Sequence, residues 1–169
     1  AKAEGQSVGI GGWEVMGDTP PGMARWFAIK ITKENAAWAF EGGEPFRKIA
    51  SLELMGTLLC VLAFPPSERR RDGTPLITFT ATTDNLGNKA AMSKLMTTKF
   101  PLCAVMMELT NVLAKQGRSM RLHWAPREQN VEADELSNDK CHRFDPSRRI
   151  DVEPLLRNMK LFNKMLKFG

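Results

Sequence analysis

The stretch Leu76–Thr83, LITFTATT, most constrains what this chain can fold into. No residue from Thr74 to Thr83 carries a charge. β-branched and aromatic side chains suit a pleated backbone, so an uncharged run of this kind predicts a buried strand. A buried strand needs helices to cover it, and the flanking segments must supply them. An acid, Asp84, follows at once, in a Gly-containing turn (DNLGN) that leads into a helix.

The segments around that strand fit a mixed α/β sheet. Ser7–Met16 is Gly-rich and apolar, as expected of a strand that another element approaches closely. Asp18–Gly22 (DTPPG) is a turn. Met23–Ile31 and Ala36–Glu41 are the next strand candidates, which together form an antiparallel meander. Phe46–Phe64 has Ile49, Leu52, Leu59 and Leu62 near helical spacing and is stopped by Pro65 and Pro66. Ser67–Pro75 reads as a charged loop. Gly87–Thr98 and Leu102–Gln116 read as helices, the second closed by Gly117. Arg118–Trp124 is a further strand, and Asn130 can cap a short helix to about Asn138. In Asp151–Lys167, Leu155, Met159, Phe162 and Leu166 form an apolar stripe. Arg157, Lys160, Lys164 and Lys167 form a basic one that reads as a solvated face. Trp13, Trp26 and Trp38 fall in the meander and read as core.

Composition excludes several classes. The three cysteines Cys60, Cys103 and Cys141 are scattered, and only two histidines accompany them, so no structural zinc is expected. Cys60 and Cys103 lie in apolar runs and read as core residues in a reducing, intracellular protein. No long charge-free apolar stretch predicts a membrane span. There is no GxGxxG after a strand, no P-loop and no GxSxG elbow, which argues against a small-molecule α/β enzyme. The net charge of +5 favours a polyanionic partner such as nucleic acid.

Three acids stand out because their surroundings are uncharged. Glu53 is the only charged residue between Ile49 and Phe64, and its helical neighbours are Ile49, Gly56 and Cys60. An unpaired carboxylate there would be costly to bury, so an arginine, a proton or a metal ion must answer it. Asp84 lies at a strand end, where ligands of α/β sheets gather; alternatively, Asp84 or Asn85 simply caps the next helix. Asp134 lies in the first turn after Asn130, where the helix dipole favours its ionised form. Its neighbours Glu132 and Glu135 are expected to face solvent. Carboxylates are hard ligands suited to Mg²⁺ or Mn²⁺.

TTDNLGN at Thr82–Asn88, two helices, and then HWAPREQNVEADELSN at His123–Asn138 resemble the ribonuclease H domain of retroelement reverse transcriptases of the retrotransposon and pararetrovirus type. The SLEL of Ser51–Leu54 is similar to the Glu-bearing helix of that family. The resemblance implies a ribonuclease H-like fold, a five-stranded mixed sheet whose first three strands are antiparallel, flanked by helices. It runs from Gly12–Trp13 to about Asn138 and sets a ribonuclease H-like domain at residues 1–140, leaving 141–169 as a C-terminal extension of a longer polyprotein. It implies endonucleolytic hydrolysis of RNA in RNA–DNA hybrids with two Mg²⁺ (or Mn²⁺) ions, beside a reverse transcriptase domain. Glu53, Asp84 and Asp134 match the catalytic, metal-binding acids. Asn85 and Asn88 match positions near the nucleic-acid backbone. The amides around Gly87 and Asn88, with Lys89, Lys94 and Arg127, would hold phosphates. Two departures stand against it. The Asp that the family carries ahead of Gly-Trp has no counterpart before Gly12–Trp13, which places it ahead of Ala1 or leaves a non-catalytic binding or connecting module. The loop Ala125–Gln129 has no histidine, and His123 precedes it on the strand without a catalytic assignment.

Overall fold

The computed structural model describes residues 1–4, 7–15, 17–65, 77–83, 85–94 and 97–168. Strands β1 (Lys2–Glu4), β2 (Ser7–Trp13) and β3 (Trp26–Ile31) form an antiparallel sheet in that order. Its register runs from Val8 opposite Ile31 to Trp13 opposite Trp26. Strands β4 (Ile77–Thr83) and β5 (Arg118–Trp124) form a parallel pair, Ile77 opposite Arg118 and Thr83 opposite Trp124. The expected five-stranded sheet is therefore corrected. Among the described residues no pairing joins the two sheets, and the three residues of β1 direct their ladder to β2.

The third strand of the meander is also corrected. Ala36–Glu41 contains a 3₁₀ turn, Ala37–Phe40, and β1 takes the third place in the sheet. Asn35 starts the turn: its Oδ1 accepts from the Thr32 amide at 2.8 Å and its Nδ2 donates to the Lys30 carbonyl at 3.0 Å. The Lys48 ammonium then donates to the carbonyls of Trp38 and Glu41. Local bonds of this kind compete with a ladder for the backbone groups of the segment.

Helix α1 (Ile49–Ala63) is the centre of the core. Leu52, Leu54, Met55, Leu58 and Leu59 are fully enclosed, and Gly56 lets Ile10 of β2 pack closely against the helix. Helix α2 (Leu86–Lys94) begins one residue before the expected Gly87, and Thr97 and Thr98 lie outside it. Helix α3 (Leu102–Gln116) has the expected ends, and Gly117 at φ 62° donates its amide back to Ala114. Helix α4 (Val131–Ser137) lies on β2 and β3. Trp26 and Trp38 are buried and Trp13 is partly so.

The tail is two helices, α5 (Glu153–Arg157) and α6 (Lys160–Leu166), where one was expected. A continuous helix would leave its apolar stripe on one side of a straight rod; the break at Asn158–Met159 instead lets Leu156, Met159 and Phe162 all enter the core. The Arg149–Ile150 strip runs beside β3, with the Ile150 amide donating to the Trp26 carbonyl at 2.8 Å. The Arg149 guanidinium donates to the Ala28 carbonyl at 2.8 Å and stacks over Trp26. Val152, Leu156, Met159 and Phe162 thus belong to the main core, and Phe144 joins Trp26, Ala28 and Leu136 in a second, smaller cluster. Arg157, Lys160, Lys164 and Lys167 remain exposed, as expected of a solvated stripe.

Over its described side chains, residues 80–83, strand β4 alternates between exposed and more buried positions. Ala81 and Thr83 turn inward, whereas Thr80 and Thr82 are exposed. Threonine has no charge, so a charge-free run does not separate a doubly buried strand from one with a threonine-lined outer face.

Candidate metal and nucleic-acid site

The carboxyl end of β4 is held from both sides. The Thr83 hydroxyl accepts from the Asn85 amide at 3.1 Å, and the Thr83 carbonyl accepts from the Ala125 amide at 2.9 Å. The second bond ties the end of β5 to the end of β4. Asp84, between the two fixed residues Thr83 and Asn85, lies outside the described residues.

Asn85 performs two tasks with one amide group. Its Oδ1 accepts from the Asn88 amide at 2.9 Å and so caps α2. Its Nδ2 donates to Glu53 Oε2 at 2.5 Å. Of the two cap candidates Asp84 and Asn85, Asn85 is thus seen to cap. The bond also links the acid of α1 to the residue that follows Asp84. Glu53 is half-buried on its apolar helix face, and a donor amide with a charged acceptor makes a short, strong contact.

Asn88, expected at the nucleic-acid surface, is only 1% exposed. Its Nδ2 donates to the Ala50 carbonyl at 2.8 Å, one helical turn before Glu53, and among the described residues its Oδ1 has no hydrogen-bond partner. Asn88 docks α2 on α1 and does not face a ligand. The cause is helical geometry: with Asn85 as cap, residue 88 falls on the inward side of the first turn. Gly87 and Lys89 are exposed in that same turn. Lys94 ends α2 and Arg127 begins a 3₁₀ turn, Arg127–Gln129, but their side chains lie outside the described residues.

Asp134 sits in the first turn of α4, partly buried. Asn138 Nδ2 donates to its carbonyl at 2.7 Å and approaches its Oδ2 at 3.4 Å. The side chain of Asn130 makes no cap bond, so its role there is that of the backbone: its carbonyl accepts from the Asp134 amide at 3.1 Å. What positions α4 is the glycine pattern of β2. A Cβ on Gly9 would stand 1.8 Å from the Ser137 carbonyl oxygen, and one on Gly11 would stand 2.3 Å from Leu136 Cβ. The close approach expected of the Gly-rich strand is made by the helix that carries Asp134. Glu135, expected in solvent, is paired with Arg143 at 2.8 Å.

The donors at the strand end are oxygens, the Glu53 carboxylate among them, which suits a hard cation. Among the described residues no group of three or more His, Cys, Asp or Glu side chains is close enough to hold an ion. Glu53 and Asp134 belong to that described set and Asp84 does not. A separate cleft of about 410 Å³ lies between residues 28–30 of β3 and residues 149–153, and none of its walls belongs to the acids discussed. No helix among the described residues is long and apolar enough to cross a membrane.

Sequence reasoning missed the outer face of the β4–β5 pair, where Thr80 stands opposite Arg121 and Thr82 opposite His123, all four exposed. The signal was the alternation Arg121-Leu122-His123, in which Leu122 is buried. Compared with known proteins, the chain matches no family model, no curated protein and no solved structure.

Proposed function

We propose that this chain is the ribonuclease H-type nuclease domain of a retroelement polymerase, hydrolysing the RNA strand of RNA–DNA hybrids with two Mg²⁺ or Mn²⁺ ions. It would act inside the cell, joined to a reverse transcriptase domain. The observation that carries this reading is the Asn85–Glu53 hydrogen bond of 2.5 Å. It brings the helix acid against the strand end on which Asp84 follows Thr83. In this reading two acids far apart in sequence, Glu53 and Asp84, would share a neighbourhood, as a carboxylate-held metal centre requires.

In this reading Glu53, Asp84 and Asp134 hold the ions. Bound metal would orient a water and neutralise charge on the scissile phosphate. The remaining work is done by the chain. Asn85 holds the Glu53 carboxylate in one orientation. The Thr83–Ala125 bond keeps the β4 and β5 ends together, so the loop that leads to Asp134 starts from a fixed point. Gly87 and Lys89, exposed at the α2 N-terminus, offer amides and a charge to phosphate, with Lys94 and Arg127 as further cations. The shallow minor groove of the hybrid, with its 2′-hydroxyls, identifies RNA.

A second reading, a binding or connecting module without catalysis, is favoured by one observation: neither β1 (KAE) nor β2 (SVGIGGW) contains an Asp. Cleavage of a labelled RNA–DNA hybrid in Mg²⁺ separates the two. The nuclease reading expects cleavage that falls at least about 100-fold in Asp84→Asn and in Glu53→Gln, in keeping with loss of a metal-bound electrostatic contribution. Absence of cleavage, together with absence of Mg²⁺ binding by calorimetry, would leave the module.

A further inference from the structure

Parallel strands are ordinarily covered on both faces. In β4–β5, helices α1, α2 and α3 pack against the pair. The inward face carries the buried Leu122 and Thr83. Helix α4 lies over β2 and β3 instead. Among the described side chains, the outward face of β4–β5 exposes Thr80, Thr82, Arg121 and His123, in two matched cross-strand pairs, Thr80 with Arg121 and Thr82 with His123.

The chemistry of this face is one-sided. Neither ITFTATT nor RSMRLHW contains an acid, and the only formal charges in the two strands are those of Arg118 and Arg121. Arg118 is turned inward, donating to the Phe64 carbonyl and to Gln116, which leaves Arg121 as the outward charge. Each side chain of the outward face can donate a hydrogen bond. Arg121 and His123 are two residues apart on one strand, about 6.6 Å by strand geometry, a separation of the same order as that of successive phosphates along a nucleic-acid strand. The hydroxyls of Thr80 and Thr82 lie beside them across the ladder and can meet sugar hydroxyls. A two-strand strip is wide enough for a single polynucleotide strand.

We propose that the outward face of β4–β5, formed by Thr80, Thr82, Arg121 and His123, is a docking surface for the sugar–phosphate backbone of a single RNA strand. The face runs up to the strand end that bears Asp84, so an RNA strand bound along it would lead toward the carboxylates. Binding itself does not depend on hydrolysis, and the face is separate from the acids that would hold metal.

The test is fluorescence anisotropy of a labelled 20-nucleotide single-stranded RNA with the 169-residue chain, in EDTA so that no cleavage takes part. The wild-type chain is expected to bind with an affinity that falls as salt rises. The double variant R121A/H123A should lose at least fivefold in affinity, and its log–log salt slope should shrink by about 0.7, the release expected for one phosphate contact on a single strand. The double variant T80V/T82V keeps the charge and the strand-forming shape. It should lose about threefold with its salt slope unchanged. K164A, which removes one exposed charge on the tail, is the control and should bind as wild type. The proposal is overturned by no binding of the wild-type chain, by unchanged binding of R121A/H123A, or by an equal loss in K164A. Hybrid cleavage in Mg²⁺ is measured separately, so loss of catalysis in an acid variant and loss of docking in a face variant give different results.

Discussion

At Gly9 a single methyl group decides whether α4 can lie on the sheet. The obstructing atom is a backbone oxygen, that of Ser137, which cannot swing aside as a side chain can. Gly9→Ala is therefore expected to cost about 1–3 kcal/mol or more, the usual range for overpacking, read as a lower urea midpoint. It should also reduce any hybrid cleavage, because Asp134 rides on the displaced helix. Cys60 is a residue-scale case of a different kind. Part of its surface is exposed, but its Sγ lies against Gly12, 2.5 Å from where a Cβ would stand. Burial pushes its thiol up to about 12, because desolvation disfavours the thiolate. The folded chain therefore holds this proton at pH values where the unfolded chain, near the ordinary 9, has released it. The resulting stability is fully present below about pH 9 and is lost as pH rises toward 12. Melting temperatures of the wild type should fall across that window, and those of Cys60→Ala should fall less. A wild type and variant with parallel profiles would refute the assignment.

At the level of elements, the instructive contact is between α3 and α6. Glu108 is buried in the apolar run of α3, and its Oε2 accepts from the Phe162 amide at 2.6 Å. Phe162 is in the first turn of α6, whose amides have no partner within the helix. One side chain from α3 thus caps a helix about fifty residues away. Glu108→Ala should cost about 1.5–3 kcal/mol, the range for hydrogen bonds to charged groups, and should speed amide exchange at Phe162 and Asn163 before the rest of the chain. Uniform acceleration over the whole chain would instead indicate a global packing defect. Most helix limits were legible in sequence because periodicity and stop signals are local: α3, its Gly117 and β5 all stand where Pro101, Gly117 and the run RSMRLHW place them. The single tail helix was not, because its break serves the core that receives Met159 and Phe162, and nothing near Asn158 in sequence encodes that core. The cap made by Glu108 is illegible for the same reason: a lone Glu in an apolar helix shows a need for a partner and does not say which one.

Over the whole molecule, the tail is the element whose removal tests the architecture. Val152, Leu156, Met159 and Phe162 are buried against the helices and β3. At roughly 1.5–3 kcal/mol for each large apolar side chain enclosed, their loss is comparable to the net stability of a typical domain, about 5–15 kcal/mol. A chain ending at residue 140 should therefore unfold at much lower urea or precipitate; an unchanged midpoint would show that residues 141–169 are an appendage. The sequence by itself determined the α/β class, the parallel β4–β5 pair's strand positions, the central α1, and the identity of three acids that stand out from uncharged surroundings. These follow from periodicity, turn chemistry and the cost of isolated charge, all of which act within a few residues. The tertiary structure alone decided that Asn85 grips Glu53, that Asn88 is an internal strut, and that Gly9 and Gly11 seat the helix of Asp134. It also decided that Thr80 and Thr82 of the uncharged strand face solvent. Each of these depends on which surface of one element meets another, and a threonine or an asparagine has the same letter whether it meets water or protein.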